Sequence, residues 1–520
     1  MERISGVNGP TTSHLSAERG LTHSTLSGML WMFLGSGFQA VLQLAVLVAL
    51  ARLLTPADFG IVSAAQVVVG FTTIFSQLGV GPALVQRPDL APRHLRTAFT
   101  LSMMIGALMT ATIWTGAPLL ADFFRMPELL QVARALSLIF MLQSLGVVAE
   151  SLLQREMQFR RLAAIELTAY AVGYGGVGIA LACMGLGVWA LVCGQMTQSL
   201  VKMLLLLKTQ RHPKAILVEA RAARELLYFG SGFTMARVGN YIAGQVDNLV
   251  VGRWLGAAAL GIYGRAYQLM TAPANFLGQI LDRVLFPAMS KVQENSQRMV
   301  SAYRRGVALI ALIIMPASGV LFILAPEVIR LVLGKEWGEV TVPFQIFAAG
   351  MLLRTSYKMS DSVARATAAV YRRAWRQTIY AALVAAGAWG GLHWGLRGVA
   401  FGVLLAIAVN FLLMAHLSVS LGAVTWRALW QAHIPALALT AIVSAAAWAV
   451  AAMLRTVHAG ALTVLIASAA AALCGLTLLL RWAPRLVLGE DGLWMVQTLS
   501  SYLPDRMNPL QRFHLGIERT

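Results

Sequence analysis

The feature that most constrains this chain is a succession of apolar runs of membrane-spanning length, separated by short polar breaks. Crossing a bilayer core as a helix takes ~20 predominantly apolar residues. Fourteen runs meet that length, at roughly 27–50, 60–81, 97–118, 132–151, 162–182, 186–207, 226–250, 261–282, 306–325, 343–363, 377–394, 398–418, 432–453 and 460–480. They would use roughly 280 residues and leave about 240 for every loop and both ends, too few for a sizeable soluble catalytic domain. Charged residues make up 12% of the chain and hydrophobic ones 58%, where a soluble protein carries ~25% charged. The sequence therefore predicts an all-α integral membrane protein.

The charges say how such a chain would thread. Its 41 Lys and Arg against 22 Asp and Glu give a net charge of +19, which taken alone would suit a nucleic-acid partner. The cations instead divide 28 to 9 between alternating connections, the tails counting with the richer set, and four more (Lys202, Arg237, Arg354 and Lys358) fall within spans. That is the positive-inside pattern. It predicts both termini in the cytoplasm and explains the basic character without nucleic acid. Arg160-Arg161, Arg304-Arg305 and Arg372-Arg373 read as membrane anchors. The stretch through Leu26 is polar, and the first apolar run lacks an A-x-A cleavage signal, so it reads as a retained span.

The chain also repeats itself. Arg52-Leu53-Leu54 followed by Phe59-Gly60-Ile61 recurs 201 residues later as Arg253-Trp254-Leu255 followed by Leu260-Gly261-Ile262. Gln66, Thr73 and Gln77 recur as Gln268, Asn275 and Gln279 at an offset of 202, and Gly187-Val188 as Gly398-Val399 at 211. Gly35-Ser36-Gly37-Phe38 returns as Gly230-Ser231-Gly232-Phe233 at 195. Six spans per copy is an even number, so both copies would have one orientation. Two parallel six-helix bundles related by pseudo-twofold symmetry, with two extra C-terminal helices, is a transporter plan. The expected divisions are a cytoplasmic tail at 1–26, lobes at 27–208 and 226–418 joined by a loop at 209–225, extra helices at 419–481 and a tail at 482–520.

The stretch Ala51 to Gln86, ARLLTPADFGIVSAAQVVVGFTTIFSQLGVGPALVQ, resembles the start of a Wzx-type polysaccharide flippase. Within that family it is similar to the branch that exports exopolysaccharide repeat units such as those of colanic acid and xanthan. Further similarity lies in LLQREMQFRRLAAIEL from Leu152, VDNLVVGRWLGAAALGIYGRAYQL from Val246 and RVLFPAMSKVQ from Arg283. It covers roughly 27–420 and is most specific from Asp247-Asn248 to Gly261. The resemblance implies a transporter of the MOP superfamily, which also holds multidrug antiporters and the peptidoglycan-precursor flippase. Such a protein would move undecaprenyl-pyrophosphate-linked oligosaccharide from the inner to the outer leaflet of the bacterial inner membrane by alternating access. It would serve exopolysaccharide or lipopolysaccharide O-antigen assembly, alongside membrane lipids and possible polymerase and export partners.

Polar faces mark where a substrate could sit. On a helical wheel Arg237, Asn240, Tyr241, Gly244, Asp247 and Asn248 share a wedge of about 120°. Arg354, Lys358, Asp361 and Arg365 fall at i, i+4, i+7 and i+11, again one face. Arg or Lys at the bilayer centre costs about 2.5–3.5 kcal/mol on insertion scales, so such residues face a wet cavity or a partner. Arg237, Arg354 and Lys358 are thus candidates to hold a pyrophosphate; the alternative is ion pairing between helices, for example Lys358 with Asp361. Gln39, Gln43, Gln66, Gln77, Asn240, Asn248, Gln268, Asn275 and Gln279 could contact sugar hydroxyls in a cleft or bond between helices. Asp247, Asp361, Glu166 and Glu150 are candidates to couple transport to H+ or Na+.

Other motifs exclude more than they suggest. Gly173, Gly175 and Gly178 spell G-x-G-x-x-G inside a span with no acidic residue at Gln198, so close packing is the expected role. No H-E-x-x-H, no G-x-x-x-x-G-K-[ST] and no D-x-D occurs, so no metal, nucleotide or other cofactor is expected. A polymerase or glycosyltransferase fits poorly. A drug or cation antiporter should prefer an acidic cavity, whereas the mid-span charges here lean cationic. Cys183 and Cys193 could share an outer hairpin, and their pairing stays open.

Overall fold

The computed structural model describes residues 37–77, 80–87, 89–213, 217–220, 223–224, 241–242, 244–292 and 296–501, with backbone alone for 76–77, 275–288, 290–292, 296 and 495–501. Its regular elements are all helical: α1 (Gly37–Leu53), α2 (Pro56–Gln77), α3 (Val80–Gln86), α4 (Pro92–Phe124), α5 (Leu129–Arg155), α6 (Phe159–Cys183) and α7 (Val188–Thr209). There follow α8 (Val246–Val292), α9 (Ser296–Ile323), α10 (Ala325–Val332), α11 (Thr341–Ala349), α12 (Met351–Ala366), α13 (Val370–Gly391), α14 (Gly395–Ser420), α15 (Trp426–Thr456), α16 (Ala461–Trp482) and α17 (Pro484–Ser501). Among the described residues nine helical stretches are long and apolar enough to cross a membrane, counting Val370–Ser420 as one. That stretch is broken by a tight turn at Leu392–Trp394 and by Gly395 at φ 62°.

Local chemistry sets the boundaries. α2 begins with a reciprocal cap. The Thr55 amide and hydroxyl donate to the Asp58 carboxylate at 2.9 and 2.7 Å, the Asp58 amide donates to Thr55 Oγ1 at 3.3 Å, and Pro56 takes the first helical position. Thr425 caps α15, its hydroxyl accepting from the Ala428 amide at 3.2 Å. Pro118, Pro316 and Pro435 lie inside α4, α9 and α15, as membrane helices tolerate where neighbours satisfy the freed carbonyls.

Several boundaries depart from the expected ones. The run expected at 343–363 is two helices meeting at Gly350, over which the Leu404 side chain packs where a side chain at that position would go. The run at 261–282 belongs to a longer helix that continues to Val292 from a break at Gly256, where φ is 87°. The tail expected from 482 begins with α17, which docks through Val487 onto Leu439, Val443 and Ala447. Cys183 and Cys193 are free.

The chain divides into two compact units. The first comprises 1–54, 68–122 and 127–238; the second comprises 55–67, 123–126 and 239–520. Unit 1 is cored by Val80, Leu84, Ala98, Phe99 and Val148, and by Ala149, Leu153, Leu162, Ile165 and Leu206. Residues 171–178 of α6 form a π-helical turn, and Gly173 there brings α7 close: a Cβ on it would lie 2.6 Å from Gln198 and from the Gly194 carbonyl. The G-x-G-x-x-G string is thus a packing surface.

Unit 2 contains two close backbone contacts made by glycine. In the first, α13 and α14 form an antiparallel pair in which Gly387 meets Gly402 and Gly391 meets Gly398. These are two facing small-xxx-small pairs, the spacing that lets membrane helices approach most closely. In the second, a Cβ on Gly60 would run into the carbonyl of Ala257, and one on Gly261 into that of Pro56. Pro56 and Ala257, like Gly60 and Gly261, stand at the 201-residue repeat offset.

Candidate functional site

Among the described residues, each unit holds a polar cluster that gathers candidate residues. In unit 2, Asp247 stands in the first turn of α8 and is buried. Its carboxylate accepts from the Tyr263 hydroxyl at 2.7 Å, across the Gly256 break, and from the Asn248 amide at 2.9 Å. Tyr263 and Tyr267, one turn apart, lie 6.2 Å centroid to centroid, and both meet Phe347 edge-on at 5.4 Å. Arg354 of α12 donates to the Tyr380 hydroxyl at 3.2 Å and lies 5.7 Å from the Tyr357 ring centroid. Asp247 and Arg354 are near enough for their charges to act on one another. A buried carboxylate and a half-buried guanidinium are thereby held among tyrosines, the Tyr263 hydroxyl serving Asp247 and the Tyr380 hydroxyl Arg354. Buried charges need such pairing and hydrogen bonding to be tolerated at all.

One turn on from Arg354, Lys358 donates to the Ala274 carbonyl at 3.4 Å. Asp361 does not pair with Lys358. It binds Arg365, one helical turn on, at 3.2 Å and also Arg373 of α13. Held by two cations, Asp361 serves as a tie between α12 and α13. Tyr241 donates to the carbonyls of Gln66 and Val67 at 3.1 and 2.9 Å. Asn248 donates to Gln245 at 2.7 Å, and exposed Gln268 accepts from Arg265.

In unit 1, Lys202 of α7 bridges two of the expected carboxylates. Its Nζ lies 3.1 Å from Glu150 of α5 and 3.5 Å from Glu166 of α6. Glu150 and Lys202 also line a cavity of about 290 Å3 with Thr73, Gln143, Gln195 and Gln198. On α1, Gln39 is half-buried and Gln43 exposed on the same face. Arg237 and Asn240 lie outside the described residues, as do the side chains of Gln77, Asn275 and Gln279.

The structure thus brings Asp247 together with Arg354, and Glu150 with Glu166. Sequence reasoning missed the tyrosine shell and the role of Lys202 as a bridge. Tyr263 and Tyr267 at i, i+4 were a readable signal, since a tyrosine face in a span presents polar tips in register. The Lys202 triad had none, because its members sit on three helices.

Residues 49–342 match the model of a family described as polysaccharide biosynthesis protein. The chain is 27% identical over 346 residues to the teichuronic acid biosynthesis protein TuaB of Bacillus subtilis, covering 66% of this chain and 71% of that protein. It is 25% identical over 397 residues to the lipopolysaccharide biosynthesis protein WzxC of Escherichia coli, covering 76% and 80% respectively. Its fold is similar to that of the lipid II flippase MurJ in an inward closed conformation, with a TM-score of 0.68 over 87% of this chain and 99% of that one, at 14% identity.

Proposed function

The chain belongs to the polysaccharide biosynthesis protein family, and from that membership we propose that it is a flippase for lipid-linked oligosaccharide. It is a multi-pass membrane transporter and not an enzyme. The observation that carries this reading is the family match over 49–342 on a chain whose fold resembles a lipid flippase. The antiporter reading is weaker, since TuaB and WzxC are both named for polysaccharide biosynthesis.

In this reading the protein sits in the bacterial inner membrane with both termini cytoplasmic. It has fourteen spans: two parallel six-helix lobes at 27–208 and 226–418, and two helices beyond. The reciprocal approach of Gly60 to Ala257 and Gly261 to Pro56 supports the internal repeat. The substrate is an undecaprenyl-pyrophosphate-linked repeat unit, moved outward by alternating access for exopolysaccharide or O-antigen assembly. H+ or Na+ supplies the energy, and a polymerase and export machinery take up the product. Arg237, Arg354 and Lys358 attract the pyrophosphate, while Asp247 carries the coupling ion.

The test is polymer export in a strain lacking the gene, measured beside the amount of membrane-inserted protein. The wild-type chain restores export; Arg237→Ala abolishes it with normal insertion, and Arg237→Lys keeps part of it because charge survives without the bidentate fork. Normal export by Arg237→Ala removes that residue from the anion site, and no export by the wild type removes the flippase reading. Reporter fusions at residues 216 and 257 should read inside and outside, and identical readings would overturn the proposed threading.

A further inference from the structure

The cavity of unit 1 lies between α5 and α7, with Thr73 of α2 in its wall. Its charges already engage one another. Lys202 lies against Glu150 and Glu166, so two carboxylates face one ammonium and the group repels a diphosphate rather than attracting it. The ammonium also occupies the place between the carboxylates that a coupling cation would take.

What the wall leaves unspent is neutral and polar. Gln143, Gln198 and Ser199 line the cavity and make no side-chain hydrogen bond among the described residues. A primary amide offers two donors and an acceptor, and a hydroxyl offers both roles. That is the complement of a polyol, whose hydroxyls each donate and accept. At about 290 Å3 the cavity is at the bottom of the ~300–1,000 Å3 range of small-molecule sites. It has room for one sugar ring, not for a whole repeat unit, and its polar wall is unsuited to an isoprenoid chain.

We propose that this cavity seats one neutral sugar residue of the transported glycan, with Gln143, Gln198 and Ser199 addressing its hydroxyls. The proposal rests on the flippase reading and deepens it. In the proposed topology α5 and α7 both end at the cytoplasmic face. Glu150 and Lys202 stand one to two turns before Arg155 and Thr209, and Gln143 and Gln198 about three turns before them, so the cavity reaches from about 7 Å to about 18 Å along the helices from their cytoplasmic ends. That is the side from which substrate is loaded.

The full-length protein in nanodiscs is titrated with two probes, undecaprenyl pyrophosphate carrying one hexose and bare undecaprenyl pyrophosphate. Wild type should hold the hexose-bearing lipid about tenfold more tightly, the scale of one or two hydrogen bonds. Gln143→Leu and Gln198→Leu should each lose most of that preference, and Ser199→Ala part of it. All three should bind the bare lipid as wild type does, which shows that they are folded. Preference retained in both glutamine variants overturns the proposal. Sodium binding that Glu150→Gln abolishes, with sugar preference intact in the glutamine variants, also overturns it and makes the cavity a cation seat. Equal binding of both lipids by a wild type that still supports export sinks the cavity's role alone. Binding of neither lipid, with no export, sinks the flippase reading and the proposal with it.

Discussion

Asp247 and Tyr263 meet at 2.7 Å across the Gly256 break, so a single hydrogen bond ties the two segments of α8 on either side of the break. Tyr263→Phe removes the donor and leaves a buried carboxylate short of a partner, at a cost of about 1–3 kcal/mol. Asp247→Asn keeps an acceptor for the hydroxyl and should cost less. Thermal unfolding of the purified protein in detergent checks the order: a Tyr263→Phe midpoint equal to wild type contradicts it.

Arg354 should tolerate replacement by lysine poorly. Its planar guanidinium reaches the Tyr380 hydroxyl and the Tyr357 ring together, which a point charge on a flexible stem does not reproduce. Arg354→Lys is expected to insert normally and to lower export several-fold; Arg354→Ala should lower it further. The comparison is export per unit of inserted protein, and parity of Arg354→Lys with wild type would show that charge alone suffices.

Lys202→Met strands two carboxylates that now share one ammonium. Losing one partner of a fully buried pair costs about 3–5 kcal/mol, and the cost here should be smaller because the three side chains are 27–42% exposed. Adding Glu150→Gln to Lys202→Met should recover much of the lost stability. A double variant no more stable than the single one would show that the triad is not electrostatically coupled.

Gly402→Val should sharply lower the monodisperse fraction of protein on gel filtration, because the Gly387 backbone fills the space a side chain needs. Gly390→Ala, on α13 beside Gly391, has open space around it and should behave as wild type. Equal yields of the two variants would mean that the α13–α14 contact is not as close as described.

What could be read from the sequence followed from solvent physics. Apolar runs report lipid, so the membrane class and most spans were legible; Leu462, Ile466 and Leu473 are exposed in the structure on a helix the hydropathy placed in the bilayer. Polar residues within spans report buried partners, which is how Asp247 and Arg354 were found. Which partner each one takes depends on how helices are rotated and staggered, and no periodicity within one helix encodes that. Asp361 illustrates this: the wheel put it on one face with both Lys358 and Arg365, and the fold gave it to Arg365 and to Arg373 of another helix. Gly387, Gly391, Gly398 and Gly402 carry a readable spacing, but only their mutual contact turns the spacing into a helix pair.

The contacts of Gly60 with Ala257 and of Gly261 with Pro56 are two copies of one contact, exchanged by the repeat. Both rest on a bare backbone surface, with no side chain to stretch or to follow a departing partner. A rigid displacement that parts one pair therefore parts the other in the same step. A side chain at either glycine would likewise hold both pairs apart, so the two contacts stand or fall as one.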